Sequence, residues 1–227
     1  MVLALDYAGH QKHTRIPVQK IKTVNQKIAF FDFDGTITTK DTLLEFIKYS
    51  RGPFLFYLGF ILNSPWLIAY KIKLISNQAA KERVLRFFFK NTPLSSFEEQ
   101  CECFAREVLP DLVRPKALKE IARLKAAGAT VVIVSASPEN WIRGWSGKME
   151  ASLLATRLET TPDSGASKPL RLTGRILQAN CYGEEKVRRI KEAYALEEYQ
   201  EIYAYGDTGG DRPMLNLATI SFYKPFR

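Results

Sequence analysis

The chain has 227 residues, of which 46% are hydrophobic and 25% are charged, as expected for a globular protein with its own core. Its net charge of +9 at pH 7 favours anionic partners: phosphorylated compounds, an acidic membrane surface or nucleic acid. No helix-turn-helix, zinc-finger or RNA-binding signature accompanies this charge, so we predict no nucleic-acid partner. The sequence does not indicate an oligomeric state.

The first 26 residues form a predicted basic tail without a secretory pattern, because their apolar stretch at 2–5 is short. The chain contains three cysteines, an odd number. Cys101 and Cys103 lie two residues apart in a predicted helix, where side chains at that spacing diverge. They indicate neither a disulfide nor a zinc site. The sequence therefore favours a cytoplasmic protein with free thiols.

A predicted strand followed by two carboxylates is the first chemical feature of the chain. Residues 28–33 form an apolar run rich in Phe, and this run ends at Asp32 and Asp34, followed by Gly35 and Thr36. Because side chains alternate along a strand, carboxylates two residues apart project to one face. They suit a hard cation such as Mg²⁺, and Gly35 permits a turn whose N–H groups can receive an anion. A surface turn is the alternative interpretation.

An uncharged segment follows a predicted helix over 41–49. Residues 52–70 carry no charge between Arg51 and Lys71, and Asn-Ser-Pro at 63–65 predicts a break between two helices. Aromatic residues with a basic rim are typical of an interfacial membrane segment. A packed helical cap with an apolar inner face is the first interpretation of this segment, followed by an interfacial segment and then by a membrane span.

Further helix is predicted over 78–109, and Pro110 and Pro115 mark the end of this inserted region. Strands and helices then alternate. The predicted elements are helices over 115–127 and 138–148, strands over 130–135 and 153–158, a hairpin over 172–177, a helix over 184–195, and strands over 201–205 and 219–223. Strands separated by helices imply a mostly parallel sheet, with ligands beyond the carboxyl ends of its strands.

Two later positions carry candidate groups for binding phosphate. Ser135 ends an apolar strand, where a hydroxyl can bind a phosphoryl oxygen. Lys186 lies at the start of a predicted helix, where a cation is unfavourable for the helix dipole unless it pairs with an anion. A solvated lysine is the alternative there, and Lys168 is a second candidate for the same role.

A Gly-rich loop near the carboxyl end of the chain contains two further acidic residues. Asp207 and Asp211 follow the predicted strand over 201–205. Acidic residues at a strand end can complete a Mg²⁺ site begun by Asp32 and Asp34. We therefore expect these carboxylates to lie at one edge of the sheet.

In chain order, these residues resemble the four motifs of the haloacid dehalogenase superfamily. The resemblance covers residues 27–40 and 116–227. The insert over 41–115 resembles the helical cap of the phosphoserine phosphatase branch. The resemblance implies a Rossmann-like three-layer α/β core with a mostly parallel sheet, an inserted helical cap and the activity of a phosphoric monoester hydrolase.

The resemblance also implies a role for each motif residue. Asp32 would be the nucleophile that accepts the phosphoryl group as an aspartyl-phosphate. Asp34 would protonate the leaving oxygen and then deprotonate the attacking water. Ser135 and Lys186 would bind the phosphoryl oxygens. Mg²⁺ would be held by the acidic residues of the first and last motifs, namely Asp32, the backbone carbonyl of Asp34, Asp207 and, assisting, Asp211.

The resemblance leaves the substrate open. An acid at position 34 favours phosphate-ester hydrolysis over the superfamily's dehalogenases and ion pumps. Asp41 lies where phosphoserine phosphatases carry an acidic residue that binds the substrate amine, whereas Gly210 departs from their usual Asn. The apolar, basic cap and the segment 181–186 resemble phosphatidylglycerophosphate phosphatases. We therefore favour an amphiphilic or lipid phosphate and peripheral contact of the cap with an anionic membrane. A small phosphorylated metabolite and a non-catalytic phosphate-binding module are the alternatives.

Overall fold

A computed structural model describes residues 26–162 and 169–227. The predicted tail, apart from Gln26, and Lys168 lie outside the described residues. The strands are β1 (Gln26–Phe31), β2 (Ala129–Pro138), β3 (Ser152–Thr156), β4 (Leu158–Pro162), β5 (Leu170–Ile176), β6 (Tyr199–Gly206) and β7 (Ile220–Tyr223). The α-helices are α1 (Thr42–Lys71), α2 (Asn77–Phe89), α3 (Leu94–Glu107), α4 (Leu109–Leu112), α5 (Pro115–Ala126), α6 (Glu139–Lys148), α7 (Glu184–Ala193) and α8 (Arg212–Leu217).

The main sheet contains five parallel strands in the order β3-β2-β1-β6-β7. Its centre is β1, in which Phe31 lies opposite Ile133 of β2 on one side and Tyr205 of β6 on the other. Parallel neighbours need long crossover connections, which the helices supply. The predicted mostly parallel sheet is confirmed.

Alternate residues of β1 enter two separate hydrophobic clusters. Ala29 and Phe31 pack with residues of α5, α6 and the cap helices, whereas Ile28 and Phe30 pack with residues of α7 and α8. The ring of Phe31 stacks on Tyr205 with the ring centroids 4.2 Å apart. The alternation of side chains along a strand thus places the sheet between two helical layers. The predicted three-layer α/β fold is confirmed.

The chain leaves the core for the cap and returns at neighbouring points. Thr38 and Val113 form an isolated antiparallel bridge, and the N–H of Arg114 donates to the carbonyl oxygen of Ile37 at 2.8 Å. The four helices α1 to α4 lie between these points. The predicted cap range of 41–115 spans the same four helices.

Helix α1 does not break at the Asn-Ser-Pro sequence at 63–65, so that prediction is wrong. Pro65 has no N–H to donate to the carbonyl of Ile61, and the hydroxyl of Ser64 donates to this oxygen instead at 2.7 Å. The interruption occurs at Gly52, where φ is 77°, outside the helical region. Beyond Gly52 the helix is continuous to its end.

The strands β4 and β5 form a separate antiparallel pair. The predicted hairpin over 172–177 is wrong, because 170–176 is the single strand β5 and Gly174 is not in a turn. Gly174 has a φ of 76°, and a Cβ there would lie 2.5 Å from the Cα of Arg86 in α2. A glycine is required because the strand passes this close to the helix. The pair therefore packs against the cap.

Candidate active site

The carboxyl ends of β1 and β6 bring the first and last motifs together. Asp32 follows β1, and its N–H donates to the carbonyl oxygen of Tyr205 in β6 at 2.9 Å. Asp207 follows the end of β6. Gly35 has a φ of 80°, and a Cβ on it would lie 2.5 Å from Oδ2 of Asp207. The turn after β1 therefore needs a glycine both for its backbone and for its approach to the second loop.

A cavity of about 350 Å³ lies between the core and the cap at this edge of the sheet. Its core side carries Lys186 and all four acidic residues predicted from the motifs. Its other side includes Asp41 at the start of α1, and Asn77 and Lys81 of α2. The structure thus places the predicted acidic residues around one space, with the cap over it.

Lys186 joins the two acidic motifs. Its ammonium donates to Oδ1 of Asp32 at 2.6 Å, to Oδ1 of Asp211 at 2.8 Å and to the carbonyl oxygen of Val134 at 2.9 Å. The lysine side chain is only 1% exposed. Burial by itself would lower the pKa of Lys186, but the charges of Asp32 and Asp211 raise it above the ordinary value. The lysine is therefore a fixed cation, as expected for its predicted role.

Three buried carboxylates form a candidate metal centre. Ligand oxygens of Asp32, Asp207 and Asp211 lie within 4.8 Å of one another. Burial raises the pKa of Asp32 to about 7, although Lys186 acts against this, and burial and the charge of Asp211 raise the pKa of Asp207. A divalent cation that takes oxygen ligands would offset this burial and repulsion. The three residues therefore fit the predicted Mg²⁺ ion.

The last described residue also contacts this cluster. The guanidinium of Arg227 forms an ion pair with Oδ2 of Asp207. Phe226 stacks near Phe31 and Tyr205, which places the end of the described chain beside β1 and β6. The sequence did not indicate this contact, because it depends on where the last segment packs.

The carboxylate of Asp34 is held at the start of α1 and is not one of the three clustered carboxylates. Its Oδ1 accepts hydrogen bonds from the N–H and from the hydroxyl of Thr42, both at 2.6 Å. The indole N–H of Trp141 donates to the same hydroxyl at 3.0 Å, which directs the hydroxyl proton towards Asp34. Coordination of a metal by the backbone carbonyl of Asp34 stays a prediction.

Two other predicted site residues have structural partners of their own. The side chain of Asp41 accepts the N–H of Leu44 at 3.1 Å and so caps α1, while it also lines the cavity. The hydroxyl of Ser135 is buried and accepts the N–H of Ser137 at 3.0 Å. Ala136 and Ser137 line the cavity beside it. Phosphate binding by Ser135 stays a prediction.

Lys81 is a residue of the cavity that the sequence analysis missed. Its ammonium donates to the carbonyl oxygen of Ala136 at 2.9 Å and lies 3.5 Å from Oδ1 of Asn180. Both acceptors are neutral, and no carboxylate in the described part of the chain forms an ion pair with Lys81. Several basic residues occur along α2, and the sequence gives no sign of which one faces the core.

Tyr182 explains the departure at Gly210. The tyrosine lines the cavity, and a Cβ on Gly210 would overlap its ring. An Asn at this position would therefore displace the ring from the cavity wall. The glycine and the tyrosine are one packing arrangement, which sequence reasoning could not detect because the two positions are 28 residues apart.

The chain belongs to the haloacid dehalogenase-like hydrolase family, which it matches over residues 29–216. The predicted family and the prediction of a hydrolase enzyme are confirmed. The chain is 35% identical over 201 residues to Protein CicA of Caulobacter vibrioides, covering 88% of this chain and 86% of that protein. It is 33% identical over 195 residues to a probable phosphatase of Mycobacterium tuberculosis, covering 82% of this chain and 64% of that protein.

Solved structures share the fold. A protein of unknown function from Bordetella pertussis Tohama I has a TM-score of 0.71 at 21% identity, covering 87% of this chain and 89% of that one. A substrate-bound phosphoserine phosphatase has a TM-score of 0.57 at 19% identity, covering 87% and 85% of the two chains. At these identities the similarity concerns the fold alone, and it agrees with the predicted phosphoserine phosphatase-like architecture.

Proposed function

We propose that the chain is a Mg²⁺-dependent phosphoric monoester hydrolase in which Asp32 is the nucleophile. The observation that carries this proposal is the buried contact of Asp32 with Lys186, beside the cluster that Asp32 forms with Asp207 and Asp211. Membership of the hydrolase family and similarity to a probable phosphatase support the predicted phosphatase class. A non-catalytic binding module is disfavoured, because the full set of predicted polar groups is present.

In the first step, Asp32 attacks the substrate phosphorus and the bond from phosphorus to the ester oxygen breaks. Lys186 donates to Oδ1 of Asp32, whereas Oδ2 accepts no hydrogen bond from the described residues, so Oδ2 is the available attacking oxygen. The product is an aspartyl-phosphate on the protein. Lys186 is also placed to offset charge on the phosphoryl oxygens. The hydroxyl of Ser135 in β2 would add a donor to the phosphoryl group, as predicted from the sequence.

Asp34 would move the protons of both steps. Thr42 holds one carboxylate oxygen of Asp34, and the other is left to protonate the leaving oxygen and then to accept a proton from water. That water attacks the phosphorus of the aspartyl-phosphate, so inorganic phosphate leaves and Asp32 is regenerated. A bound Mg²⁺ would supply charge neutralisation at the phosphoryl oxygens, held by the three clustered carboxylates.

The favoured substrate is an amphiphilic or lipid phosphate such as phosphatidylglycerophosphate. Exposed apolar and basic residues of the cap support this choice. Phosphoserine or another small phosphorylated metabolite is the alternative, supported by the acidic Asp41 in the cavity wall. We further propose that the protein is cytoplasmic and contacts the inner face of an anionic membrane peripherally through its cap.

Removal of divalent metal is expected to abolish phosphate release. The reason is that three buried carboxylates would then repel each other and the incoming phosphate. The measurement is hydrolysis of p-nitrophenyl phosphate with Mg²⁺, with EDTA, and with EDTA followed by excess Mg²⁺. Activity that persists unchanged in EDTA would contradict the metal-dependent mechanism, and recovery with added Mg²⁺ excludes irreversible damage.

Substitution of Lys81 by Ala is expected to raise KM about tenfold for a soluble substrate with a second anionic group, because a charged hydrogen bond contributes roughly that much. The kcat should change by less, since Lys81 is not in contact with Asp32 or Lys186 in the structure. Glycerol 3-phosphate lacks that second group, whereas 3-phosphoglycerate carries it. The measurement is therefore the KM for 3-phosphoglycerate divided by the KM for glycerol 3-phosphate, in each variant. Lys90→Ala, an exposed lysine that ends the same helix, is the matched control. If this ratio is the same in Lys81→Ala as in Lys90→Ala, a substrate-binding role for Lys81 is contradicted.

A further inference from the structure

One side of α1 exposes large apolar residues over most of its length. Between Gly52 and the turn after the helix, six of them expose 59% to 77% of their surface: Phe54, Tyr57, Ile61, Ile68, Ile72 and Leu74. The first five lie three, four or seven residues apart, which places them on one side of a helix. We call these six residues the apolar face. Exposed apolar surface of this extent is characteristic of an interaction site.

The opposite side of α1 is packed against α2. Gly59 lies against the ring of Phe88, and the guanidinium of Arg83 lies 4.0 Å from the ring centroid of Trp66. The hydroxyl of Tyr70 accepts a hydrogen bond at 3.0 Å, near the end of the helix. By length and composition alone, α1 could cross a membrane. However, the contacts with α2 at its middle and near its end keep lipid from surrounding the helix, so the helix suits the plane of an interface.

The charge around the apolar face favours an anionic partner. No Asp or Glu occurs between Glu45 and Glu82, whereas this stretch contains five Lys or Arg residues. Lys71 and Lys73 are exposed at the end of α1, next in sequence to Ile72 and Leu74 of the apolar face. Basic residues at the edge of an exposed apolar helix face are the pattern of a segment that binds anionic lipid headgroups. A packed cap alone, the first interpretation from the sequence, accounts for the side of α1 that contacts α2 but not for the exposed apolar face.

The carboxyl end of α1 lies beside the cavity on the side of the helix opposite the apolar face. The amide of Asn77, which lines the cavity, donates the hydrogen bond to Tyr70, and its oxygen accepts one from Asn180 at 2.5 Å. Tyr70 is thus one side chain away from the cavity wall. A bilayer on the apolar face would therefore lie about one helix diameter, roughly 10 Å, from this part of the cavity wall.

We infer that the apolar face of α1 docks on the surface of an anionic bilayer and presents the cavity to phosphate esters held in that bilayer. This inference rests on the proposed function, because it assigns the source of its substrate. The helix lies in the headgroup region with its apolar face in the acyl boundary. Lys71 and Lys73 contact the headgroups.

Vesicle co-sedimentation tests the inference with the full chain. Vesicles of phosphatidylglycerol and phosphatidylcholine are compared with vesicles of phosphatidylcholine alone, and the double variant I61E/I68E is compared with the wild type. We expect binding to the anionic vesicles, reduced about tenfold or more in the double variant, because two charges enter the apolar face. Ile220→Glu, at an exposed position of the edge strand β7, is the matched control and should bind as the wild type does.

Three outcomes would overturn the inference. They are wild-type protein that stays in the supernatant with anionic vesicles, binding that I61E/I68E leaves unchanged, and binding that alkaline carbonate cannot reverse, as for a spanning helix. Self-association that the double variant abolishes, without vesicle binding, would assign the face to a second copy. Hydrolysis of p-nitrophenyl phosphate in the same samples tests the proposed function separately. Hydrolysis without vesicle binding contradicts the docking inference alone.

Discussion

Substitution of Asp32 by Asn is expected to lower kcat for phosphate release by about 10⁴-fold or more, since the amide cannot serve as the nucleophile. The two side chains have nearly the same shape, and the Asn oxygen can still accept the hydrogen bond of Lys186. The loss should therefore occur without loss of the fold. Steady-state kinetics with p-nitrophenyl phosphate measures the effect, and circular dichroism checks the fold.

Asp111→Asn is the matched control for this variant, because Asp111 is an exposed acid at the border of cap and core. It should retain the wild-type kcat. An Asp32→Asn protein that keeps more than about a tenth of the activity would show that another group makes the bond to phosphorus, because a lost nucleophile costs several orders of magnitude.

Substitution of Lys186 by Met is expected to reduce both activity and stability. Asp32 and Asp211 would remain buried without their shared cation, and breaking such a pair costs about 3 kcal/mol of unfolding free energy. The loss of a donor to the developing charge should lower kcat by about 10²- to 10³-fold. Urea unfolding and steady-state kinetics measure the two effects.

The control for Lys186→Met is Lys191→Met, an exposed lysine of the same helix α7. It should leave stability and kcat near their wild-type values. Added Mg²⁺ should stabilise the Lys186→Met protein more than the wild type, because the ion then replaces the positive charge that Lys186 supplies to Asp32 and Asp211. A Lys186→Met protein as stable and as active as the wild type would contradict the assigned role of this lysine.

The sequence contained enough information to place the core of the site. The Phe-rich run of β1 and the Gly-rich loop after β6 identify two strand ends, and parallel strands end at one edge of a sheet. That rule alone predicts that Asp32 lies near Asp207. The contact of Lys186 with both motifs also follows its sequence signal, because a cation at a helix start needs an anion nearby.

The cap was less predictable, because its geometry depends on contacts between segments far apart in the chain. Proline at 65 normally indicates a break, and only the hydroxyl of Ser64 beside the free carbonyl of Ile61 shows why the helix continues. Gly174 suggested a turn, whereas in the structure a glycine is required at this position because Arg86 approaches it closely. The position of Lys81 depends on how α2 packs on the core. The contacts of Gly174 and Lys81 join segments far apart in the chain, whereas the hydrogen bond of Ser64 spans only three residues.

The most direct test of the central claim is to find the phosphoryl group on Asp32. In Asp34→Asn protein the second step lacks its base, while p-nitrophenolate leaves readily without an acid, so the aspartyl-phosphate should accumulate. Acid quenching, borohydride reduction and peptide mass spectrometry then locate the modified residue. We predict modification at Asp32, dependent on substrate and Mg²⁺. Turnover without modification at Asp32, or modification at Asp207 or Asp211 instead, would contradict the account.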